Sequence, residues 1–358
     1  MPNIVVQDDK ILRSLQVVLD PEVSVERTAA LCDYLSFDIP DPMAWIEEQR
    51  AKAATIWPPK MHMIADEQAM LPHLTHANAI VTESLKVGVE ELALAKDLKL
   101  VQKFGTDTRN IDLDACERSG VGVRTLKRRV NGVVAEHAIL LMLAVGRKLT
   151  ETNGALDFTS LAALGYSPRM FDPDHIAGAN WARIDGLRSL QGATVGALGL
   201  GEVGREVALR ANAMGAKILY HQRTRLPKEA EQRHGAVYAS YDVLLRQSDF
   251  ISIHLPLNET TEGMVDVRSF ALMKPGAILV NISRAHIIER AALIAALDSG
   301  RLGGAGLDVH YEEPAAPDEP LKQYKNVVLS PHVAVAQRHH NLADTAELIK
   351  NLIDALAG

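Results

Sequence analysis

The chain has 358 residues, of which 47% are hydrophobic and 23% charged, and its formal net charge at pH 7 is −7. These values describe a globular chain that is long enough for two domains. The negative charge argues against a general attraction to nucleic acid or to an anionic membrane. The two cysteines, Cys32 and Cys116, suggest neither a disulfide framework nor a metal site, so we expect a reducing, cytoplasmic location.

The sequence predicts neither a signal peptide nor a membrane span. Residues 1–9 are acidic and lack the basic segment and apolar core of a signal peptide. The longest apolar helical run, Ala138–Val145, is too short to cross a bilayer. We therefore expect no membrane partner.

Short apolar runs alternate with helical patterns over residues 1–125. This alternation predicts a small α/β unit with a parallel sheet. The predicted strands are Ile4–Val6, Ala79–Val81, Leu100–Lys103 and Gly122–Arg124, and the predicted helical segments are Val89–Ala95 and Asp112–Arg118.

A long helix is predicted from Asn131 to Leu149, apolar over more than one face and therefore buried, with a partner subunit as one candidate cover. Residues 151–180 are rich in Gly, Pro, Asp and Ser and have poor periodicity, which is typical of a long loop or an insertion. A surface insertion is favoured over a functional cover for the active site.

Seven strand patterns follow from Ala193, most of them separated by helices, and they predict a doubly wound parallel sheet. They are Thr194–Leu198, Ile218–Tyr220, Ala236–Tyr238, Phe250–His254, Ala277–Ile282, Gly304–Val309 and Val327–Ser330. The final helical pattern, Asn341–Ala357, is expected to return to the first domain.

The first of these strands leads into a glycine motif, Gly199-x-Gly201-x-x-Gly204, and a helical pattern begins at once, from Arg205 to Met214. The glycines allow a tight turn, close approach of a pyrophosphate and close packing of helix on strand. The helix N-terminus offers unpaired N–H groups to the phosphates. Because the motif lies between a strand and a helix, it predicts a dinucleotide site.

The residues after the next strand, Gln222, Arg223, Thr224 and Arg225, bear on which dinucleotide binds. An NAD site has an acid here for the ribose hydroxyls. Neutral Gln222 does not repel a 2′-phosphate, while Arg223, Thr224 and Arg225 offer two cations and a hydroxyl. We predict a preference for NADPH of about two decades in affinity, at roughly 1.4 kcal/mol per decade, and hence reduction. In the alternative, both arginines point to solvent and NAD is also used.

Three later strands each lead to a polar side chain that suits hydride transfer to a 2-keto acid: Arg284, Glu313 and His332. Arginine holds a carboxylate through two hydrogen bonds. Histidine donates a proton to the carbonyl oxygen near neutral pH. A carboxylate orients that histidine and favours its protonated form.

Several motifs together resemble the D-isomer-specific 2-hydroxyacid dehydrogenase family over residues 98–336. They are Asn110–Leu113, Asn131 with Val134–His137, Val195–Gly204, His254–Leu257, Val280–Arg284, Gly306–Pro314 and Ser330–Ala334. The resemblance implies two Rossmann-like or flavodoxin-like domains with the active-site cleft between them. Residues 1–125 plus 333–358 would form the substrate domain, and residues 126–332 the dinucleotide-binding domain with an insertion at 151–180.

The resemblance also implies roles for residues. Arg284 would bind substrate, Glu313 would support the histidine, His332 would be the acid/base, and Asp308 would hold the nicotinamide carboxamide. The remaining implied cofactor contacts are Glu202, Val203, His254, Pro256, Ile282, Ser283 and His332. The family further implies a homodimer that uses the helix from Asn131 and a small 2-keto or 2-hydroxy acid as substrate. The cofactor pattern resembles that of NADPH-using glyoxylate and hydroxypyruvate reductases.

Some residues depart from the family pattern or separate its members. Asp107 stands where the family has a glycine near the substrate carboxylate. Thr106 replaces the lysine of phosphite dehydrogenases, and Glu313 replaces the glutamine of formate dehydrogenases, so both activities are disfavoured alternatives. A second alternative function, that of a nucleotide-sensing corepressor of the same fold, is compatible with the sequence. The side chain of the substrate is not readable from the sequence.

Overall fold

The computed structural model describes residues 1–357. The chain divides into two compact units. Unit 1 comprises Met1–Val130 and the chain from Ala336 onward, and unit 2 comprises Asn131–Val335. The predicted domain boundaries, after residue 125 and before residue 333, lie close to these divisions, while the role predicted for each domain stays a prediction.

Unit 1 contains a five-stranded parallel sheet with the strand order β2-β1-β3-β4-β5. The strands are β1 (Asn3–Gln7), β2 (Lys60–Ile64), β3 (Ala79–Thr82), β4 (Leu100–Lys103) and β5 (Gly122–Arg124). The four predicted strands are confirmed. The prediction lacked β2, an edge strand whose side chains are mostly half-buried and which therefore carries a weak apolar pattern.

Helices cover unit 1 on both faces of this sheet, because two separate apolar clusters flank it. They are α1 (Arg13–Leu19), α2 (Val25–Leu35), α3 (Pro42–Lys52), α4 (Glu67–Met70), α5 (Val89–Leu94) and α6 (Leu113–Arg118). Helix α2 buries only Leu35 fully. It therefore lacks a strong apolar stripe, and the sequence analysis did not find it.

Unit 2 contains a seven-stranded parallel sheet with the order β12-β11-β10-β9-β6-β7-β8. The strands are β6 (Thr194–Leu198), β7 (Lys217–His221), β8 (Ala236–Tyr238), β9 (Phe250–Ile253), β10 (Ala277–Asn281), β11 (Leu302–Leu307) and β12 (Val327–Leu329). All seven predicted strands are present, and the α/β class with doubly wound parallel sheets is confirmed. The strand order reverses between β6 and β9, and ligands bind beyond the carboxyl ends of strands at such a point.

Helix α7 (Arg129–Gly146) forms the buried centre of one face of the unit 2 sheet. It ends three residues earlier than predicted, since Lys148 adopts a left-handed conformation (φ 53°). A Cβ atom on Gly306 of β11 would lie 2.7 Å from Cβ of Leu141. Glycine at this position therefore allows α7 to approach the sheet closely.

Among the described residues, α7 is the one helix long and apolar enough to cross a membrane by length and composition alone. It is longer than the run Ala138–Val145 on which the prediction of no span relied. However, 56% of this span is buried inside the structure, as in the core helix of a soluble protein.

The segment predicted as an insertion at residues 151–180 has little regular structure. It contains the end of α8 (Leu149–Thr152) and the single short helix α9 (Phe158–Ala163). Local contacts hold it: the Tyr166 hydroxyl donates to Glu151 at 2.6 Å, and the rings of Phe158 and Trp181 lie 5.4 Å apart.

The remaining helices of unit 2 surround its sheet: α10 (Glu202–Ala213), α11 (Lys228–Arg233), α12 (Tyr241–Gln247), α13 (Val267–Leu272) and α14 (Arg290–Asp298). The last helix, α15 (His339–Leu356), belongs to unit 1, as expected for a chain that returns to the first domain. Leu348, Ile349 and Leu352 of α15 pack into the same apolar cluster as Ile4 and Leu100.

We predict that Gly306→Ala destabilises unit 2 by about 1–3 kcal/mol, because overpacking at the α7 contact forces backbone or side-chain shifts. Thermal unfolding should show a fall of several degrees in the melting temperature. Gly178→Ala is the matched control, since a Cβ atom at that position meets no atom within 4 Å. Equal melting temperatures for the two variants would contradict this account of the α7 contact.

Candidate active site

His332 lies on a tight turn directly after β12. Its backbone φ is 54°, in the left-handed region that non-glycine residues rarely occupy. The buried carboxylate of Asp308 accepts hydrogen bonds from the backbone N–H groups of Val333 (2.9 Å) and Ala334 (2.8 Å). A strained conformation persists where surrounding bonds determine it, and Asp308 supplies two of those bonds.

The His332 ring is paired with Glu313. Nδ1 of His332 lies 2.7 Å from Oε2 of Glu313, and the other carboxylate oxygen accepts from the backbone N–H of His310 at 3.0 Å. Burial raises the pKa of Glu313, but the hydrogen bonds from His332 and His310 outweigh it and hold that pKa below its usual value. An ionised Glu313 requires the hydrogen on Nδ1 of His332, which leaves Nε2 as the ring nitrogen that this pair does not engage.

The pair is accessible to a substrate, since the side chains of His332 and Glu313 are 43% and 39% exposed. Both residues follow neighbouring parallel strands, β12 and β11, whose carboxyl ends lie at the same edge of the sheet. The structure therefore brings together two of the three residues predicted to be catalytic.

Asp308 is fully buried and anchors a network of side chains. Its Oδ1 atom accepts from the Ser330 hydroxyl at 2.6 Å, and Nε2 of His137 lies 2.8 Å from that hydroxyl and 3.3 Å from Oδ1. Burial alone would raise the pKa of Asp308. The hydrogen bonds from His137, Ser330 and the two backbone N–H groups lower that pKa by more than burial raises it, so the pKa lies below its usual value. Asp308 is thus an ionised group inside the sheet edge, and it fixes the turn that carries His332.

Arg284 follows β10 and is exposed. The buried side chain of Asn281 holds the loop that carries Arg284. The Asn281 amide nitrogen donates to the Arg284 carbonyl at 2.8 Å, and the Asn281 side-chain oxygen accepts from the Ser283 N–H at 3.0 Å. The Arg284 guanidinium donates to the Ser283 carbonyl at 2.6 Å and forms no ion pair with any described residue. It bonds to neither Glu313 nor His332, and its charge is available to an anion.

The glycine loop lies between β6 and α10, at the point where the strand order reverses. Gly199 has φ 93°, and a Cβ atom there would lie 2.8 Å from the His254 carbonyl oxygen. A Cβ atom on Gly204 would lie 2.4 Å from the Gly199 oxygen, whereas one on Gly201 meets no atom within 4 Å. Packing thus requires glycine at positions 199 and 204, and Gly201 leaves open space before the helix. This cradle fits a dinucleotide phosphate group.

Glu202 and Val203 begin α10 after this cradle. Oε2 of Glu202 accepts from the Asn131 side-chain amide at 2.6 Å, which links the start of α10 to α7. The cradle is therefore fixed from two sides, by this link and by the packing against the carbonyl of His254.

His254, directly after β9, forms the floor of the glycine loop. Both ring nitrogens are buried without a hydrogen-bond partner among the described residues, and burial lowers the pKa of His254 to about 4. The ring is therefore neutral near pH 7. Beyond it, the exposed Pro256 lies in the following loop, where its carbonyl accepts from Thr261 at 2.6 Å, while Ile282 is buried after β10.

Gln222 and Arg223 follow β7, on the other side of the glycine loop. Oε1 of Gln222 accepts from the backbone N–H of Leu200 at 3.0 Å, and its amide donates to the Thr224 carbonyl at 2.6 Å. Arg223 is exposed and forms no hydrogen bond or ion pair with the described residues. The neutral amide is thus fixed beside the loop, and a free cation lies next to it.

Arg225 differs from Arg223. Its guanidinium forms two hydrogen bonds with Glu231 of α11, at 2.8 and 2.9 Å, and lies over the ring of Tyr238. These bonds and a hydrogen bond from the Tyr220 hydroxyl lower the pKa of Glu231 to about 2. The contact between Arg225 and a 2′-phosphate stays a prediction. It requires Arg225 either to leave Glu231 or to bind Glu231 and the phosphate at the same time.

Comparisons with known proteins identify the family. A family model described as D-isomer specific 2-hydroxyacid dehydrogenase, NAD binding domain, matches residues 172–334. The glyoxylate reductase of Thermococcus litoralis is 38% identical over 288 residues, which cover 79% of this chain and 82% of that relative. The chain belongs to the D-isomer-specific 2-hydroxyacid dehydrogenase family.

Further relatives of this 2-hydroxyacid dehydrogenase have related names. The glyoxylate/hydroxypyruvate reductase B of Yersinia pestis is 32% identical over 296 residues, 82% of this chain and 85% of that relative. The crystal structure of a glyoxylate reductase from Paecilomyes thermophila covers 99% of this chain and 95% of its own, with 26% identity and a TM-score of 0.55. The protein is an oxidoreductase that acts on the CH–OH group of hydroxy acids, or on the corresponding keto acids, with a nicotinamide cofactor.

Unit 1 of the dehydrogenase carries the loop in which Asp107 replaces a glycine. Arg109 neutralises this carboxylate with a hydrogen bond of 2.8 Å from Nε and another of 2.5 Å from a terminal nitrogen. The Asp107 side chain is 20% exposed and that of Arg109 is 64% exposed. The extra negative charge is thus compensated within the loop.

Three residues that hold the turn of His332 in this dehydrogenase had no predicted role: His137, Ser330 and His310. His137 and Ser330 lie in motifs that carried the family resemblance, but their meeting at Asp308 depends on how α7 packs on the sheet. His310 contributes through its backbone N–H to Glu313 and through its ring, 2.8 Å from the Ser330 carbonyl. The backbone contact has no side-chain signature that a sequence could reveal.

We predict that His332→Ala lowers keto-acid turnover at least about 100-fold, the usual contribution of a general acid, while NADPH still binds. Steady-state rates, with NADPH binding followed by fluorescence, test this.

We predict that Glu313→Gln lowers kcat about tenfold while the KM for NADPH changes little, because a neutral amide accepts from Nδ1 of His332 more weakly than the carboxylate and orients the ring less firmly. Glu313→Asp, which keeps the charge on a shorter side chain, separates the loss of charge from the loss of reach. An unchanged kcat in Glu313→Gln would contradict the role of the pair.

We predict that Ser330→Ala lowers kcat about tenfold, equivalent to roughly 1.4 kcal/mol, since a hydrogen bond to the buried Asp308 charge is lost and the turn loosens. The KM for NADPH should change little. Ser330→Thr keeps the hydroxyl and serves as the matched control, with most of kcat restored. A loss of the same size in both variants would show that packing, and not the hydrogen bond, matters at this position.

Proposed function

We propose that this enzyme reduces a small 2-keto acid to the corresponding D-2-hydroxy acid, with NADPH as its preferred cofactor. The observation that carries the proposal is the His332–Glu313 pair at 2.7 Å, with Arg284, which forms no ion pair with a described residue, two strands away. A 2-keto acid requires a proton donor held by a carboxylate and a cation whose charge is not neutralised inside the protein.

In this proposal, Arg284 binds the substrate carboxylate through two charge-assisted hydrogen bonds and orients the keto group. Nε2 of His332 donates its proton to the carbonyl oxygen as that oxygen gains charge. Glu313 keeps Nδ1 protonated and the ring aligned before and after the transfer. The reduced nicotinamide, when bound, supplies the hydride to the keto carbon.

The cofactor would lie over the glycine cradle, held by Gly199, Gly201, Gly204 and the first turn of α10. Ser283 and the strand ends at His254 and Pro256 stay the proposed contacts of its nicotinamide half. Asp308 stays a proposed contact of the carboxamide, but its buried carboxylate would have to exchange one of its internal hydrogen bonds to reach that group. The orphaned ring nitrogens of His254 support such a site, because a buried polar atom without a partner calls for one.

The preference for NADPH rests on the turn after β7. Gln222 is neutral and hydrogen-bonded in place, so no carboxylate competes with a 2′-phosphate for this position. Arg223 is an exposed cation with no partner among the described residues, and Thr224 adds a hydroxyl. A 2′-phosphate would therefore gain charge-assisted bonds with Arg223 and would meet no carboxylate at residue 222.

The names of the relatives favour glyoxylate and hydroxypyruvate as the first substrates to test. Formate oxidation is disfavoured by Glu313, and phosphite oxidation by Thr106. A nucleotide-sensing corepressor would keep the same fold and residues. A panel of 2-keto acids distinguishes it, because a sensor would oxidise NADPH with none of them.

We also propose a homodimer built around unit 2 and a cytoplasmic location. Leu140 of α7, Leu149, Leu156 and Phe158 are at least half exposed, with values between 50% and 81%. This apolar surface around the helix predicted to reach a partner supports a subunit contact. Both cysteines are free thiols, which suits a reducing compartment.

We predict that kcat/KM with NADPH exceeds that with NADH at least tenfold, measured with glyoxylate or hydroxypyruvate. Gln222→Glu, which keeps an acceptor for Leu200 N–H but adds a charge, should reduce the NADPH value about tenfold or more and spare NADH. Arg223→Gln should act in the same direction. Arg233→Gln, at an exposed arginine of α11, is the control.

Equal kcat/KM values for the two cofactors in the unmodified enzyme would overturn the proposed preference but not the reaction. The reaction itself would be overturned if no 2-keto acid in a broad panel supported oxidation of either cofactor.

A further inference from the structure

A cavity of about 660 Å³ lies within unit 1. It is lined by α1, the α2 region and the first turns of α15, and it contains none of Arg284, Glu313 and His332. Its lining residues also lie outside the stretch 172–334 that matches the family model. The volume falls within the range of small-molecule sites, about 300–1,000 Å³.

The interior of this cavity is apolar. Its apolar lining residues are Ile11, Val17, Ala30, Leu31, Leu35 and Leu342. Four uncharged polar lining residues are already hydrogen-bonded to one another. The hydroxyls of Ser14 and Thr345 lie 2.8 Å apart, and the Asn341 amide donates to the Tyr34 hydroxyl at 2.9 Å. A ligand body inside the cavity would therefore be apolar, because a polar one would lose its bonds to water.

The charged lining of the cavity is cationic overall. Arg13 is compensated by Asp8, with which it forms hydrogen bonds of 2.7 and 3.1 Å. Arg27 donates to the neutral oxygen of Gln16, and Glu26 is the one acidic lining residue.

Lys10 is the remaining cation of this lining. It is exposed and forms no hydrogen bond or ion pair with any described residue. One positive charge is therefore left over, and it favours a ligand with one negative charge. The Tyr34 hydroxyl, which accepts from Asn341, still has its own hydrogen to donate to such a group.

We propose that this cavity binds an apolar monocarboxylate, such as a medium-chain fatty acid, with its chain among the leucines and its carboxylate at Lys10. Such a ligand matches both the apolar lining and the single excess charge. The site is separate from the proposed reaction, whose substrate is small and polar and whose cation is Arg284.

The test is isothermal titration of decanoate into the full-length protein without nicotinamide cofactor or keto acid. We expect saturable binding of one decanoate per chain. Ala30→Trp, which fills the cavity from α2, should weaken binding at least tenfold. Ala29→Trp is the matched control on the same helix, since Ala29 does not line the cavity, and it should leave the affinity within about twofold.

The charge is tested separately. Lys10→Met should weaken decanoate binding at least threefold, and Lys96→Met, at another exposed lysine of unit 1, should not. Because Lys10 is exposed and makes no bond, this variant keeps the fold even if Ala30→Trp does not. Decanol should bind more weakly than decanoate, and decyltrimethylammonium should not bind.

Two outcomes would overturn the proposal. One is the absence of decanoate binding at concentrations below micelle formation. The other is binding that Arg284→Gln abolishes and that Ala30→Trp leaves intact, since decanoate would then occupy the keto-acid site. Neither outcome affects the proposed reduction of 2-keto acids, which is measured by NADPH oxidation in separate assays.

Discussion

The ionised carboxylate of Asp308 is the group on which the catalytic edge depends. A buried charge is costly unless it is fully hydrogen-bonded, and here four donors supply those bonds: two side chains and two backbone groups. Meeting this requirement holds the left-handed turn of His332 in place. These bonds also tie α7, β11 and β12 to one another, so the position of His332, the proposed proton donor, depends on the hydrogen bonds that a neighbouring buried charge requires.

The order of the strands adds the second condition. Parallel strands place all their carboxyl ends at one edge, and the reversal between β6 and β9 opens that edge for a ligand. The glycine cradle lies at this reversal, and Arg284, Glu313 and His332 follow β10, β11 and β12, on the far side of β9. The proposed dinucleotide site and the proposed acid–base residues thus lie at strand ends of the same sheet, with one strand between them.

Much of this arrangement was predictable, because strand ends and glycine spacing are local properties of a sequence. The seven strands of unit 2 and the glycine motif fall into that class. Other features depend on packing. Helix α2 buries only Leu35 fully, so packing and not a local pattern fixes its place. The pairing of Arg225 with Glu231 arises only when α11 folds back on β7. Likewise, His137 and Ser330 are far apart in the chain, and the helix–sheet contact through Gly306 brings them together.

The hydrogen bond between Gln222 and Leu200 has a consequence for which residues can replace Gln222. The side chain proposed to discriminate between nucleotides also holds the glycine loop in place, so substitution here is constrained by length as well as by charge. Aspartate is one methylene shorter and would release the Leu200 N–H, whereas glutamate keeps an acceptor within reach of it. Of the two acidic residues, glutamate is therefore the one that can change the charge of this position and leave the loop supported.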